Sequence, residues 1–195
     1  MRRVFSFVAV LLFTITSTVY SQEAKDHEFS YIGTKKCKKC HLKQAKSWAK
    51  TNMANAYDLL KPGVRAEQKT KVGLDPEKDY TADAECLPCH TTGYDKPGGF
   101  VSLEETPQRA GVSCEMCHGA GSEYTKDQYM SNDNKSYKRA EVVKMGLVSP
   151  VTGDRCTALC HNEKSPFFKT AEPFVFEKRK EEGTHQHYPL KYEHE

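Results

Sequence analysis

Cys114-Glu115-Met116-Cys117-His118 is one of four closely related stretches in this chain. The others are Cys37-Lys38-Lys39-Cys40-His41, Cys86-Leu87-Pro88-Cys89-His90 and the longer Cys156-Thr157-Ala158-Leu159-Cys160-His161. A Cys-x-x-Cys-His motif is typical of covalent haem attachment, in which the two thiols become thioethers and the histidine binds the iron. All eight cysteines lie in these motifs, so the sequence predicts four covalently bound haem c groups.

Two other kinds of site also use paired cysteines. Zinc sites take four ligands from two half-sites without a fixed Cys-His adjacency, and eight cysteines in an exported chain are enough for four disulfides. Neither arrangement requires a histidine directly after every second cysteine, as found four times here. The pattern therefore favours haem, and the wider spacing in the fourth motif is a less common variant of it.

The N-terminus has the pattern of a secretory signal peptide. Arg2 and Arg3 precede an uncharged, largely apolar run at 4–19, and Val19-Tyr20-Ser21 fits a cleavage site. We expect 1–21 to be the signal peptide and 22–195 the tetrahaem domain of a periplasmic or otherwise exported protein. An uncleaved anchor is the alternative, although the run is short for a membrane span. Nothing after it is apolar enough to cross a membrane.

The charge balance argues against nucleic acid as a partner. The chain holds 29 Lys and Arg against 26 Asp and Glu, a net charge of +3, which the propionates of four haems would outweigh. Lysine clusters such as Lys35-Lys36 and Lys38-Lys39 are expected to balance propionates or face solvent. The alternative is that these lysines form a patch on which a partner protein docks.

The predicted fold is mainly α and loop-rich, wrapped around the four haems, with little or no sheet. Thr34 is expected to start a helix that carries the first motif and continues to Leu60. Further helices are expected at 136–145 and 175–182, and 100–103 is the only plausible strand. The polar composition predicts a thin core and folding that depends on haem.

The second axial ligands have few candidates, because only eight histidines are present and four belong to motifs. On one continuous helix, Met53 would lie about 18 Å along the axis from His41, so it would reach a different haem. The alternative for Met53 is that it packs in the core. His185 and His187 are also candidate ligands, and the alternative for them is a pair of histidines at the surface.

The chain resembles the tetrahaem cytochrome c-554 family over roughly residues 32–192. The resemblance rests on matching stretches in a common order, which include Gly33-Thr34-Lys35-Lys36-Cys37, Gln44-Ala45-Lys46-Ser47-Trp48, Leu74-Asp75-Pro76, Lys78-Asp79-Tyr80-Thr81, Gly98-Gly99, Gly111-Val112-Ser113-Cys114-Glu115, Arg155-Cys156, Ser165-Pro166 and His185-Gln186-His187-Tyr188. Each stretch alone is weak, but their shared order and spacing are specific.

The resemblance implies an open iron at the haem on His90 and a distal ligand, His185, for the haem on His161. The segment before His185 is shorter than in the family. Four phenylalanines in it are candidates to line the open pocket or to pack in the core, namely Phe167, Phe168, Phe174 and Phe176.

Two distal histidines of the family are absent from this chain. Met53 stands where the family has the distal histidine of the haem on His118. Near Gln128, where the family has the one serving the haem on His41, Met130 is the nearest competent group. Methionine ligation raises the reduction potential, so this chain is expected to work at a higher potential than its relatives.

The leading functional hypothesis is electron relay between redox proteins. The resemblance implies a multihaem donor, such as hydroxylamine oxidoreductase, and a cytochrome or quinone-linked acceptor. The alternatives are reduction of nitric oxide or another nitrogen oxide at an open second haem, and a subunit of an extracellular conducting filament. The filament would need a ligand shared between copies, for which His27 is the only hint. No catalytic residue is predicted.

Overall fold

The computed structural model describes residues 29–190. The predicted signal peptide, His27 and His194 lie outside these residues. Eight short α-helices follow one another along the described chain, at Thr34–Cys37 (α1), Leu42–Trp48 (α2), Ala66–Lys71 (α3), Leu87–His90 (α4), Cys114–His118 (α5), Arg139–Lys144 (α6), Gly153–Leu159 (α7) and Phe176–Gly183 (α8). Two 3₁₀ helices lie at Ala56–Leu60 and Pro107–Arg109, and the rest is turn and loop.

The expected mainly α, loop-rich fold is confirmed. Over residues 29–190 the only β pairing is an isolated antiparallel bridge between Thr91 and Ala110. The strand expected at 100–103 does not form. The Phe100 amide bonds Thr92, but the next amide, that of Val101, bonds the hydroxyl of Thr106 and leaves the pairing.

The prediction of one long helix from Thr34 to Leu60 is wrong, because this range contains two short α-helices and a 3₁₀ helix. His41 has φ −103° and ψ 43°, which separates α1 from α2. After Trp48, the Thr51 hydroxyl donates to the Trp48 carbonyl and accepts from the Ala54 amide, and such local bonds compete with helix continuation. Met53 therefore follows a turn, and its distance from His41 cannot be read from a helical rise.

The helices expected near 136–145 and 175–182 are confirmed as the shorter α6 and the closely matching α8. Thr34 does not cap α1. The cap position is Gly33, whose φ of +90° is favourable only for glycine.

Among residues 29–190, the hydrophobic core forms two small clusters instead of one continuous interior. One contains Tyr57, Tyr80 and Phe100 and packs against Cys86 of the second motif. The other contains Trp48 and Met116. The haem motifs thus lie beside the apolar clusters, as expected for a chain that uses porphyrin as part of its core. Between residues 29 and 190, no helix has the length and apolar character needed to span a membrane.

Candidate haem centres

Each motif is carried by a short helix or the turn beside it. The third motif coincides with α5, while α4 contains the last residues of the second. The fourth begins within α7, and the first spans the end of α1 and the following turn. Helix and turn thus keep the two cysteines and the following histidine of each motif close together along the chain, as covalent haem attachment requires.

No disulfide joins any two of the eight cysteines, so the disulfide alternative does not describe this structure. Thiols of different motifs meet. Cys37 lies beside Cys114. Cys89 lies beside Cys160, and its Sγ is 3.8 Å from the carbonyl oxygen of Leu159 in the fourth motif. The first motif therefore lies beside the third, and the second beside the fourth.

Two of the motif histidines are oriented by backbone carbonyls. Nδ1 of His90 lies 2.7 Å from the carbonyl oxygen of Ala56, and Nδ1 of His118 lies 3.2 Å from that of Val148. A carbonyl only accepts, so each Nδ1 carries the proton and each Nε2 keeps its lone pair. A bond of this kind fixes the tautomer and ring direction of a metal-binding histidine.

The electrostatic environment also keeps the motif histidines neutral. Burial lowers the pKa of all four below the usual value for histidine, at His41, His90, His118 and His161. Burial disfavours the imidazolium cation, and only the neutral ring has a lone pair for iron. The proximal side of each predicted centre is therefore ready to bind metal.

His185, expected from the family resemblance to serve the haem on His161, lies near His118 in this structure. It is also close enough to His41 to add to the effect of burial in lowering the pKa of that histidine. The ring centres of His118 and His185 are 6.2 Å apart. If metal–imidazole bonds are about 2 Å, as for zinc, two imidazoles on opposite sides of one metal have ring centres roughly 6 Å apart. Nδ1 of His185 faces the carbonyl of Gln186 at 2.9 Å, which leaves Nε2 free. The observed separation of the two ring centres matches this spacing.

His161 has a different neighbour. The ring of Phe174 stacks on it, with centres 4.1 Å apart and planes 19° apart. Phe176 packs against Gly153 at the start of α7, and Phe168 is 48% exposed. Phe174 and Phe176 thus pack around the fourth motif.

Met53 lies between the third and fourth motifs. Its half-buried side chain packs against the cluster that contains Met116 of the third motif, and Leu159 of the fourth packs against the same cluster. Its Cε lies 3.5 Å from the position a Cβ on Gly183 would take. Core packing and iron binding are both compatible with this position.

Met130 is placed near the first motif by its own loop. The Lys36 ammonium lies 3.8 Å from the Asp127 carboxylate, and the Met130 amide bonds the carbonyl of Lys126. The loop that carries Met130 therefore runs beside α1. This is the region where a ligand for the haem on His41 is expected.

Glu115, between the two cysteines of the third motif, has a role that was not predicted from the sequence. Its side chain is fully buried, and its carboxylate accepts from the amides of Ile32 at 2.8 Å, Gly33 at 2.6 Å and Gly121 at 2.9 Å. These bonds fasten the segment before the first motif to the third motif. Charge in the spacer is no signal of this role, because the spacer of the first motif holds two exposed lysines.

Arg109 is a second buried residue that the sequence did not single out. Its guanidinium donates to the carbonyls of Gly98 at 2.9 Å and Tyr31 at 3.0 Å. Trp48 makes a similar long-range bond, from its indole to the carbonyl of Val112 at 2.9 Å. Such bonds join the loops between motifs, which have no sheet to hold them.

Comparison with known proteins agrees with this geometry. A family described as cytochrome c554 and c-prime matches residues 36–119, which include the first three motifs. The chain is 39% identical over 175 residues to cytochrome c-554 of Nitrosomonas europaea, covering 86% of this chain and 72% of that protein. The structure is similar to that of reduced cytochrome c554 from Nitrosomonas europaea, with a TM-score of 0.67 and 36% identity, covering 84% and 88% of the two chains.

Proposed function

The chain belongs to the cytochrome c-554 family of electron-carrying c-type cytochromes, and we propose that it is an exported relay between a multihaem oxidoreductase and a downstream cytochrome or the quinone pool. The proximity of the motifs supports this most directly. Glu115 of the third motif accepts from the amides of Ile32 and Gly33 just before the first motif, and Cys89 Sγ of the second lies 3.8 Å from the Leu159 carbonyl oxygen of the fourth. Covalent cofactors attached to touching motifs lie close together, as a relay requires.

The chain binds four haem c groups covalently, and iron redox chemistry is what they supply. Its own residues hold, orient and shield them. The thioether positions are Cys37, Cys40, Cys86, Cys89, Cys114, Cys117, Cys156 and Cys160. The proximal ligands are His41, His90, His118 and His161. We assign these roles from the motifs and from the neutral, oriented histidines described above.

For the distal side, we assign His185 to the haem on His118, on the basis of their 6.2 Å separation. One iron has one distal position, so Met53 is assigned to the haem on His161, whose motif residue Leu159 packs on the same cluster. Met130 is assigned to the haem on His41. Family resemblance supports an open iron at the haem on His90.

Export is part of the same proposal. Covalent haem attachment is expected outside the cytoplasm, and the N-terminal pattern is that of a signal peptide. The mature protein is then expected to begin at Gln22 in the periplasm. Mass spectrometry of protein from a periplasmic fraction tests this. A mature N-terminus at Met1 would contradict it.

The function is tested by mixing the oxidised holoprotein with hydroxylamine oxidoreductase and hydroxylamine. The proposal predicts that the haem absorption bands change to those of the reduced form only when both are present. Hydroxylamine alone is the control for direct reduction. If dithionite reduces the chain but the enzyme does not, the proposed donor is wrong.

A further inference from the structure

The positive charge of this chain is concentrated in one short segment. Residues 35–50 contain seven lysines and no Asp or Glu, whereas the whole chain has a net charge of only +3. The remaining residues are therefore net acidic. Four of the seven lysines flank the cysteines of the first motif and are exposed, at Lys35, Lys36, Lys38 and Lys39.

The other three lysines extend the same surface along α2. Lys43 and Lys46 have the i, i+3 spacing of one helical face, Lys50 follows in the turn after α2, and all three are exposed. Ala45 and Trp48, on the opposite face, are buried. Together the seven lysines form what we call the basic face.

Little of the basic face is neutralised within the chain. Lys36 lies 3.8 Å from Asp127, whose side chain is 89% exposed. Lys43 lies 5.8 Å above the ring of Tyr188. Across residues 29–190, the contact with Asp127 is the only ion pair that these seven lysines make. Carboxylates of the described residues therefore leave six of the seven lysines without an ion pair.

The basic face also surrounds the most accessible haem-attachment position. Cys40 is the only exposed cysteine of the eight, and it lies in the chain between Lys39 and Lys43. The thioether formed at Cys40 is thus at the surface, whereas the other seven attachment positions are partly buried. The positive charge of the basic face therefore lies next to the most exposed haem-attachment cysteine.

We propose that the basic face docks an acidic redox protein, which exchanges single electrons with the chain through the haem of the first motif. This rests on the proposed function, since it assumes that the chain has a protein partner for electrons. In each encounter one centre loses the electron that the other gains. Opposite charges raise association rates by about 10- to 1,000-fold at low salt, and redox encounters are typically small and transient.

The test measures how fast the reduced holoprotein is oxidised by two inorganic probes in stopped-flow experiments. Hexacyanoferrate(III) is an anionic oxidant, and tris(phenanthroline)cobalt(III) is a cationic one. Each takes one electron from a ferrous haem. The proposal predicts that oxidation by hexacyanoferrate(III) slows as salt is added, whereas oxidation by the cobalt complex does not.

The variant K43E/K46E reverses two charges on α2 outside the haem motif. At low ionic strength it should slow oxidation by hexacyanoferrate(III) by about tenfold or more, since steering is worth at least that factor. The matched control is K61E/K71E, which makes the same change of net charge at exposed lysines far along the chain. It should change the rate less than twofold.

Two further measurements distinguish an acidic protein partner from a membrane surface. Poly-L-glutamate should slow oxidation of the wild type and not of K43E/K46E. If poly-L-glutamate slows oxidation by hexacyanoferrate(III) equally in the wild type and in K43E/K46E, or slows it in neither protein, the proposal is overturned. Binding of the wild type to phosphatidylserine vesicles at physiological salt, lost in K43E/K46E, also overturns it by assigning the basic face to a membrane surface. If neither inorganic probe oxidises the wild type, electron carriage itself is refuted, and the docking proposal with it.

Discussion

The imidazole of His185, near the end of the described chain, lies 6.2 Å from that of His118 in the third motif, measured between ring centres. This relationship links residues 67 positions apart in the sequence and defines a candidate pair of axial ligands. His185 follows the end of α8 by two residues, so this short helix positions the imidazole near the third motif.

Replacing His185 by alanine should open the distal side of the haem on His118. Loss of the second imidazole is expected to convert a low-spin ferric iron to high spin, seen by electron paramagnetic resonance. His187 is the matched control, because it is exposed and its ring lies 4.8 Å from that of His185. If His187→Ala and not His185→Ala changes the spectrum, the assignment is reversed.

Replacing Met53 by leucine should remove a near-infrared methionine–iron band while leaving the packing almost intact. Leucine and methionine have similar volumes, and such swaps usually cost less than about 1.5 kcal/mol. Met145→Leu, at the end of α6, is the control. A spectrum unchanged in Met53→Leu would show that Met53 only packs in the core.

Met130→Leu should have the same kind of effect on a different haem, the one on His41. Because a thioether ligand raises the reduction potential, its loss should lower the midpoint of one haem in a redox titration. In the double variant, Met53→Leu should lower the midpoint potential of a second haem in addition, since the two methionines are assigned to separate haems. Identical titrations of wild type and Met130→Leu would contradict the assignment.

Glu115→Gln should destabilise the holoprotein, because one carboxylate oxygen that accepts a backbone amide becomes a donor. A buried amide left without an acceptor costs about 1–3 kcal/mol in the free energy of unfolding. Denaturant unfolding measures this. Glu123→Gln breaks only a surface ion pair with Lys126, and should cost no more than about 1 kcal/mol. Equal stability of both variants would contradict the fastening role.

Haem chemistry was readable from the sequence because it depends on contiguous residues. The four motifs and the mainly α, loop-rich fold needed no tertiary information. The prediction of a helix from Thr34 to Leu60 was wrong because local sequence patterns do not reveal that the Thr51 hydroxyl donates a hydrogen bond to the Trp48 carbonyl and ends the helix. That turn, and not a helical rise, sets the position of Met53.

The long-range partners were beyond the reach of sequence patterns. Nothing in the spacer of the third motif distinguishes Glu115 from an exposed glutamate, and its three amide donors come from distant or adjacent loops. Likewise, the His-x-His pattern marked His185 as a candidate ligand. Only the folded chain places it near His118 and places Phe174 on His161.

A spectroelectrochemical titration of the intact holoprotein, with attached haem counted by mass, tests four-haem electron carriage most directly. We expect four covalent haems, each taking up and releasing one electron reversibly, with at least one midpoint raised by methionine ligation. Fewer than four attached haems, or haems that do not reduce and reoxidise reversibly, would contradict the conclusion that this chain is a four-haem electron carrier.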